Sequence, residues 1–164
     1  MKLEDQAALR EVREGNVGNV TFIRYNFHAP EKPFEIITQH IKEALYWISN
    51  IHINQDLKDI NTSASQEKNV WLITCQFTDR TVANLFFDFS PSRSIYIKQM
   101  EIAGTTGLYV FDSSVEQALQ SDFLQVLEIN PEYMKDDRVE KWWGKAIQSF
   151  QTGQVALVEK GGSS

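Results

Sequence analysis

Cysteine is almost absent from this chain: Cys75 is the only one in 164 residues. An intrachain disulfide is therefore excluded, and no Cys/His cluster at metal-ligand spacing exists. Cys75 lies in the apolar run Trp71 to Phe77, where a buried, inert thiol is expected. No apolar stretch approaches the ~20 residues that a membrane-spanning helix needs. The N-terminus is charged and helix-like rather than a signal peptide, so a soluble, cytoplasmic protein without a membrane partner is expected. There is no block rich in Lys and Arg, and the formal net charge is −6. Nucleic acid is disfavoured as a partner, because phosphate neutralisation supplies most of that affinity. Internal repeats, low-complexity tracts and an internal domain boundary are also missing.

What is present suits one packed core. Apolar residues make up 42% and aromatic residues 12%, too much to leave in water. A chain of this length is expected to form a single domain over residues 1–164.

The spacing predicts a helix from Leu3 to Glu14, stopped at Gly15, with Ala8, Leu9 and Val12 on one side. A strand follows over Val20–His28. Thr21, Ile23, Tyr25 and Phe27 face one way, and Val20, Phe22, Arg24, Asn26 and His28 the other. Pro33 then starts a helix running to about Asn50, with Ile36, Ile37, His40, Ile41, Ala44, Leu45 and Ile48 recurring at helical spacing. A weak strand is expected around 51–60 and a polar loop over 61–69. Val70–Phe77 and Thr81–Phe89 are the clearest strands, and Ile95–Ala103 is another. Residues 115–130 are ambiguous between helix and strand. Asp137–Thr152 is an amphipathic helix stopped by Gly153, with Trp142, Trp143 and Ile147 on its apolar stripe. Residues 156–164 are expected to fray. Strands in the middle with helices around them give an α+β class. The expectation is an open, largely antiparallel sheet of about five or six strands with helices on one face. The core should hold Ile41, Leu45, Trp142, Trp143, Ile147, one of Trp71 and Leu72, and one of Phe86 and Phe87.

Between Met100 and Ser114, Gly104-Thr105-Thr106-Gly107 joins two apolar strands. Its glycines suit a hairpin loop needing positive φ. This tetrapeptide is one of six local patterns in a fixed order. The others are Glu14-Gly15-Asn16-Val17-Gly18, His40 with Glu43 and Trp47, and Phe77-Thr78-Asp79-Arg80-Thr81. Pro131-Glu132-Tyr133 and Phe150-Gln151-Thr152-Gly153 complete the series. In that order, from about residue 8 to residue 155, the chain resembles the C-terminal domain of the Gfo/Idh/MocA oxidoreductases. In that family this domain binds substrate and builds the oligomer, while a preceding Rossmann domain holds NAD(P). No Gly-x-Gly-x-x-Gly follows a leading strand in these residues. The resemblance therefore implies the substrate half without a cofactor site, and NAD(P) only through a partner domain.

His40 is the residue that the resemblance makes the contact to a substrate hydroxyl and the relay of its proton. Read from the residues alone, it is equally a histidine packed on an apolar helix face. The family's acid and glycine before this histidine are replaced by Ile36 and Thr38. Glu43 is the accompanying acid or a solvated helix residue. Arg24, Asn26 and His28 share a strand face and are candidates to line a substrate pocket or to lie exposed. Glu31-Lys32-Pro33 spells a tripeptide that the family places in its Rossmann domain. Here Pro33 is read as a helix start, the alternative being a site lysine. His52 has no partner identifiable from sequence.

The implied function is the substrate-binding and oligomerisation half of an NAD(P)-dependent sugar or polyol oxidoreductase, not catalytic as an isolated chain, and either a piece of a longer chain or a subunit completed by a separate Rossmann-domain protein. The alternative is a non-catalytic dimeric scaffold or a module binding a small polar ligand near His40. The two faces of the central strands both carry large apolar residues, so a homodimer or higher oligomer through the open sheet face is expected.

Overall fold

The computed structural model describes residues 2–115 and 135–158. Within them, alternating burial along each strand sets one face of a sheet against helices. Strand β1 (Val20–His28) buries Ile23, Tyr25 and Phe27 on that face. It is preceded by helix α1 (Leu3–Arg13) and followed by helix α2 (Phe34–Ile51). Then come β2 (Leu57–Ala64), β3 (Val70–Phe77), β4 (Val82–Asp88), β5 (Ile97–Gly104) and β6 (Leu108–Asp112). Helix α3 (Asp137–Thr152) and the short β7 (Ala156–Leu157) close the described chain.

The seven strands form one sheet in the order β6-β5-β1-β4-β3-β2-β7. Only β1 and β4 run parallel, with Phe22 opposite Val82 and Phe27 opposite Phe87. The other neighbours are antiparallel, so the expected α+β class with a largely antiparallel open sheet is what forms. The count exceeds the expected five or six strands at one edge. The tail read as frayed from residue 156 contributes β7, where Ala156 pairs with Ile60 and is buried. The weak strand expected around 51–60 also differs. Helix α2 runs to Ile51, and the strand occupies Leu57–Ala64 because Leu57, Ile60 and Thr62 alternate inward. Expected loop residues 61–64 thus lie in β2. The ambiguous reading of 116–130, and Pro131-Glu132-Tyr133, lie outside the described residues.

The core takes Trp71 and Phe87 from the two pairs of alternatives, together with Ile41 and Leu45, all fully buried. Trp142 is buried, but Trp143 and Ile147 are only half-buried at the rim of α3. Trp143 meets Trp71 at 5.8 Å between ring centroids. Helix α3 is capped as its sequence requires. Asp136 accepts the Arg138 amide at 2.9 Å, and Gly153 closes the helix at φ +64°.

The two glycine motifs prove to be one contact. Thr105 and Thr106 donate their amides to the carbonyls of Asn19 and Val17, at 3.0 and 3.1 Å. Positive φ is not what Gly104 and Gly107 supply, since the left-handed glycines are Gly15, Gly18 and Gly153. A Cβ on Gly104 would collide with the Val17 carbonyl, and one on Gly107 would lie 2.5 Å from the Asn16 carbonyl oxygen. These glycines allow the hairpin to lie against the α1–β1 turn.

Candidate functional site

Helical spacing places His40, Glu43 and Trp47 on one stripe of α2, and all three face the start of α1. The His40 ring stacks on Phe27, with centroids 4.7 Å apart, and meets Phe89 at 5.7 Å. Its Nδ1 lies 3.9 Å from Glu43 Oε2, and that carboxylate is 3.8 Å from the Lys2 ammonium. Trp47 donates its indole N–H to the Asp5 carbonyl at 3.3 Å.

Beneath this stripe runs a buried ionic network. Lys98 of β5 is fully buried and donates to Glu4 at 2.8 Å and to Asp5. Its ammonium also lies over the Tyr25 ring, 5.4 Å from the centroid. Burial alone would depress Lys98, but Asp5, Tyr25 and Glu4 outweigh it and hold the group above the usual lysine range. Burial and the neighbouring Lys98 push Lys2 below its ordinary value. For His40, burial first, then the positive charges of Lys2, Lys32 and Lys98, bring the imidazole down to about 3. His40 is accordingly a neutral imidazole at working pH, able to donate and accept hydrogen bonds without taking a proton.

The other sequence candidates lie on the opposite side of the sheet. Arg24 donates to Glu101 at 3.1 Å, and Asn26 to Gln99 at 3.3 Å. With Asp112 and Val110 they line a shallow hollow of about 150 Å³ on the open face. His28 stands 3.7 Å from Asp88, whose carboxylate also accepts from Arg93 at 2.6 Å. Burial and then Arg93 lower the His28 pKa, against the pull of Asp88. The structure therefore does not gather the five candidates into one pocket. His40 and Glu43 form one site, and Arg24, Asn26 and His28 belong to the open face. The alternation of β1 separates them, since Tyr25 and Phe27 point toward the helices.

Glu31-Lys32-Pro33 does start α2: Pro33 is its N-cap, and its carbonyl accepts the amides of Ile36 and Ile37. Lys32 lies over the Tyr96 ring at 5.6 Å. Lys98, Lys2, Glu4 and Asp5 are neighbours of this stripe that the sequence did not single out. A signal existed, for Lys98 falls in phase with the inward Met100 and Ile102.

The connection from the parallel-paired β1 into α2 is Ala29-Pro30-Glu31-Lys32-Pro33. It holds no glycine, and its prolines offer no N–H to a pyrophosphate. Nor is any described helix long and apolar enough to cross a membrane.

No protein-family model and no curated sequence matches the chain. Solved structures do. A myo-inositol dehydrogenase from Corynebacterium glutamicum superposes with a TM-score of 0.70 at 11% identity, over 98% of this chain and 62% of that one. A putative oxidoreductase from Thermotoga maritima gives 0.65 at 17% identity, over 93% and 59%. GenD2 from gentamicin A biosynthesis, solved in complex with NAD, gives 0.73 at 10% identity, over 97% and 61%. The chain thus spans about three fifths of these relatives. Its fold is that of the C-terminal domain of the Gfo/Idh/MocA oxidoreductases.

Proposed function

We propose that these residues are the substrate-binding and oligomerisation half of a sugar or polyol oxidoreductase whose NAD(P) site lies in a Rossmann domain outside them. The observation that carries this reading is the position of His40. It sits beside Lys2, at the start of α1, on the stripe of α2 that also carries Glu43. A neutral imidazole with Lys32 and Glu43 nearby suits the hydroxyls of a polyol, each of which both donates and accepts. Titration calorimetry with myo-inositol and D-glucose tests it. Saturable binding that His40→Ala abolishes, together with no NADH formed from NAD and polyol by this chain alone, is the expected result. NADH production without a partner would refute the division of labour. Absence of binding by every polyol would refute the site.

One observation favours a second reading, a non-catalytic binding module. A general base works best with a pKa near the operating pH, and His40 is held near 3. In that case His40 binds a ligand hydroxyl and moves no proton.

Association through the open sheet face belongs to the same proposal. Val82, Phe22 and exposed Leu108 stand there in one row, Phe86 pairs with half-exposed Leu72, and exposed Val110 lies beside Glu101. Polar residues interrupt them: the row Thr74, Asn84, Arg24 and Glu101 crosses the middle of the face. Light scattering should give a dimer or larger mass, and Phe86→Asp a monomer. A monomeric wild type at tens of micromolar would overturn it.

A further inference from the structure

Helix α2 carries a second histidine twelve positions beyond His40, roughly 18 Å away at ~1.5 Å of rise per residue. His52 caps the far end of α2 and forms one wall of a cleft of about 600 Å³. The opposite walls come from the end of α1 at Arg13, the α1–β1 turn at Asn19, and the β3–β4 turn at Asp79. Asn50 and Asn54 complete a lining rich in groups that both donate and accept.

One detail points to a ligand, the gap between His52 and Asp79. His52 is buried, its ring packs on Phe77 at 4.4 Å, and its Nε2, itself closed to solvent, has no hydrogen-bond partner among the described residues. Its Nδ1 stands 4.0 Å from Asp79 Oδ2, a gap too long for a hydrogen bond but one that a single hydroxyl oxygen can bridge. Burial keeps His52 below the ordinary histidine value, with Asp79 opposing, so a neutral ring faces the carboxylate. Asp79 is itself fixed, because its other oxygen accepts the Thr81 amide at 2.9 Å. The lining offers one cationic side chain, Arg13, and one anionic one, Asp79, so no net charge is asked of the occupant.

We infer that this cleft is a second small-molecule site, for a neutral polyhydroxylated ligand, with one hydroxyl between Asp79 and His52. It goes beyond the reading given to His40 and stands or falls separately from it. The test is amide NMR of the ¹⁵N-labelled chain titrated with myo-inositol and D-glucose, and with D-gluconate and D-glucosamine as charged counterparts. The expected result is saturable shifts from the neutral probes at residues 18–21, 50–55 and 79. In Asp79→Asn, which keeps an oxygen for the Thr81 amide, affinity should fall roughly tenfold. Arg13→Ala, at an exposed position, should weaken it as well, and His40→Ala should leave these shifts in place. Shifts only around Lys2, Lys32 and His40 would support the first site and overturn this one. Shifts in the cleft with gluconate or glucosamine alone would overturn the neutral assignment, and so would unchanged affinity in Asp79→Asn.

Discussion

Replacing Lys98 by Met strikes the network that ties α1 to the sheet and lies next to His40. The Lys98 side chain is 1% exposed, and the side chains of Glu4 and Asp5 that it meets are 11% and 12% exposed. Methionine fills much of the same volume, so the loss is chiefly one of charge. Two carboxylates would then be left beside Tyr25 with no buried cation between them. Breaking a buried ion pair from one side costs roughly 3–5 kcal/mol, a large part of the ~5–15 kcal/mol that a domain possesses. Urea unfolding followed by tryptophan fluorescence should show that loss, and the melting point should fall on the order of 10 °C for a chain of this size. Adding Glu4→Gln and Asp5→Asn to Lys98→Met should recover most of it, because uncompensated charge is its source. The signs with pH follow from the shifts. Lys98 is raised in the fold, so its contribution is complete below the ordinary lysine range and is lost as pH rises through its folded value. Glu4 is lowered, because Lys98 outweighs its burial, so its contribution is present above the ordinary glutamate range and is lost as pH falls. A Lys98→Met variant within about 1 kcal/mol of wild type, the size of an exposed pair, would refute the reasoning. So would a triple variant no more stable than the single one.

His40 should remain neutral by imidazole NMR from pH 7 down to pH 4, and an ordinary titration near 6.5 would remove it from the buried network. Because the unfolded histidine takes up its proton first, this group should lower stability as pH falls from 6.5 toward 3. Trp142→Ala should cost roughly 3–5 kcal/mol and half-buried Trp143→Ala clearly less, by urea unfolding; the reverse order would mean that α3 is rotated. Gly104→Ala should destabilise by roughly 1–3 kcal/mol through its clash with the α1–β1 turn. A melting point equal to wild type would show that the hairpin does not need that approach.

Much of the fold was legible because burial and period coincide. The alternation of Tyr25 and Phe27 against Arg24 and Asn26 was readable, as was the stripe of α3 with its Gly153 stop. Less visible were pairings that no local pattern announces. Leu57–Ala64 contains Lys58, Asp59 and Asn61, and its strand exists because β3 on one side and β7 on the other accept it. The site was legible as a helical stripe, since His40, Glu43 and Trp47 repeat at helical spacing. What they touch was not, because Lys2 and Asp5 reach Glu43 and Trp47 only through the docking of α1. Nor could one strand reveal that Arg24 and His40 end on opposite sides of the sheet.

The position of β1 inside the sheet, between two strands made later, has a kinetic consequence. This first strand hydrogen-bonds on one side to β4, Phe22 with Val82, and on the other to β5, Val20 with Gly104. Neither neighbour exists when β1 leaves the ribosome, and the hairpin of β3 and β4 can form before either joins it. Closure of long loops must precede those pairings, which slows folding in sheets dominated by distant contacts. Both hydrogen-bonding edges of β1 are open until β4 has been made, and the edge that pairs with β5 stays open until Gly104 has been added. A nascent chain stalled before Gly104 is thus the form most exposed to strand-edge aggregation and to capture by chaperones.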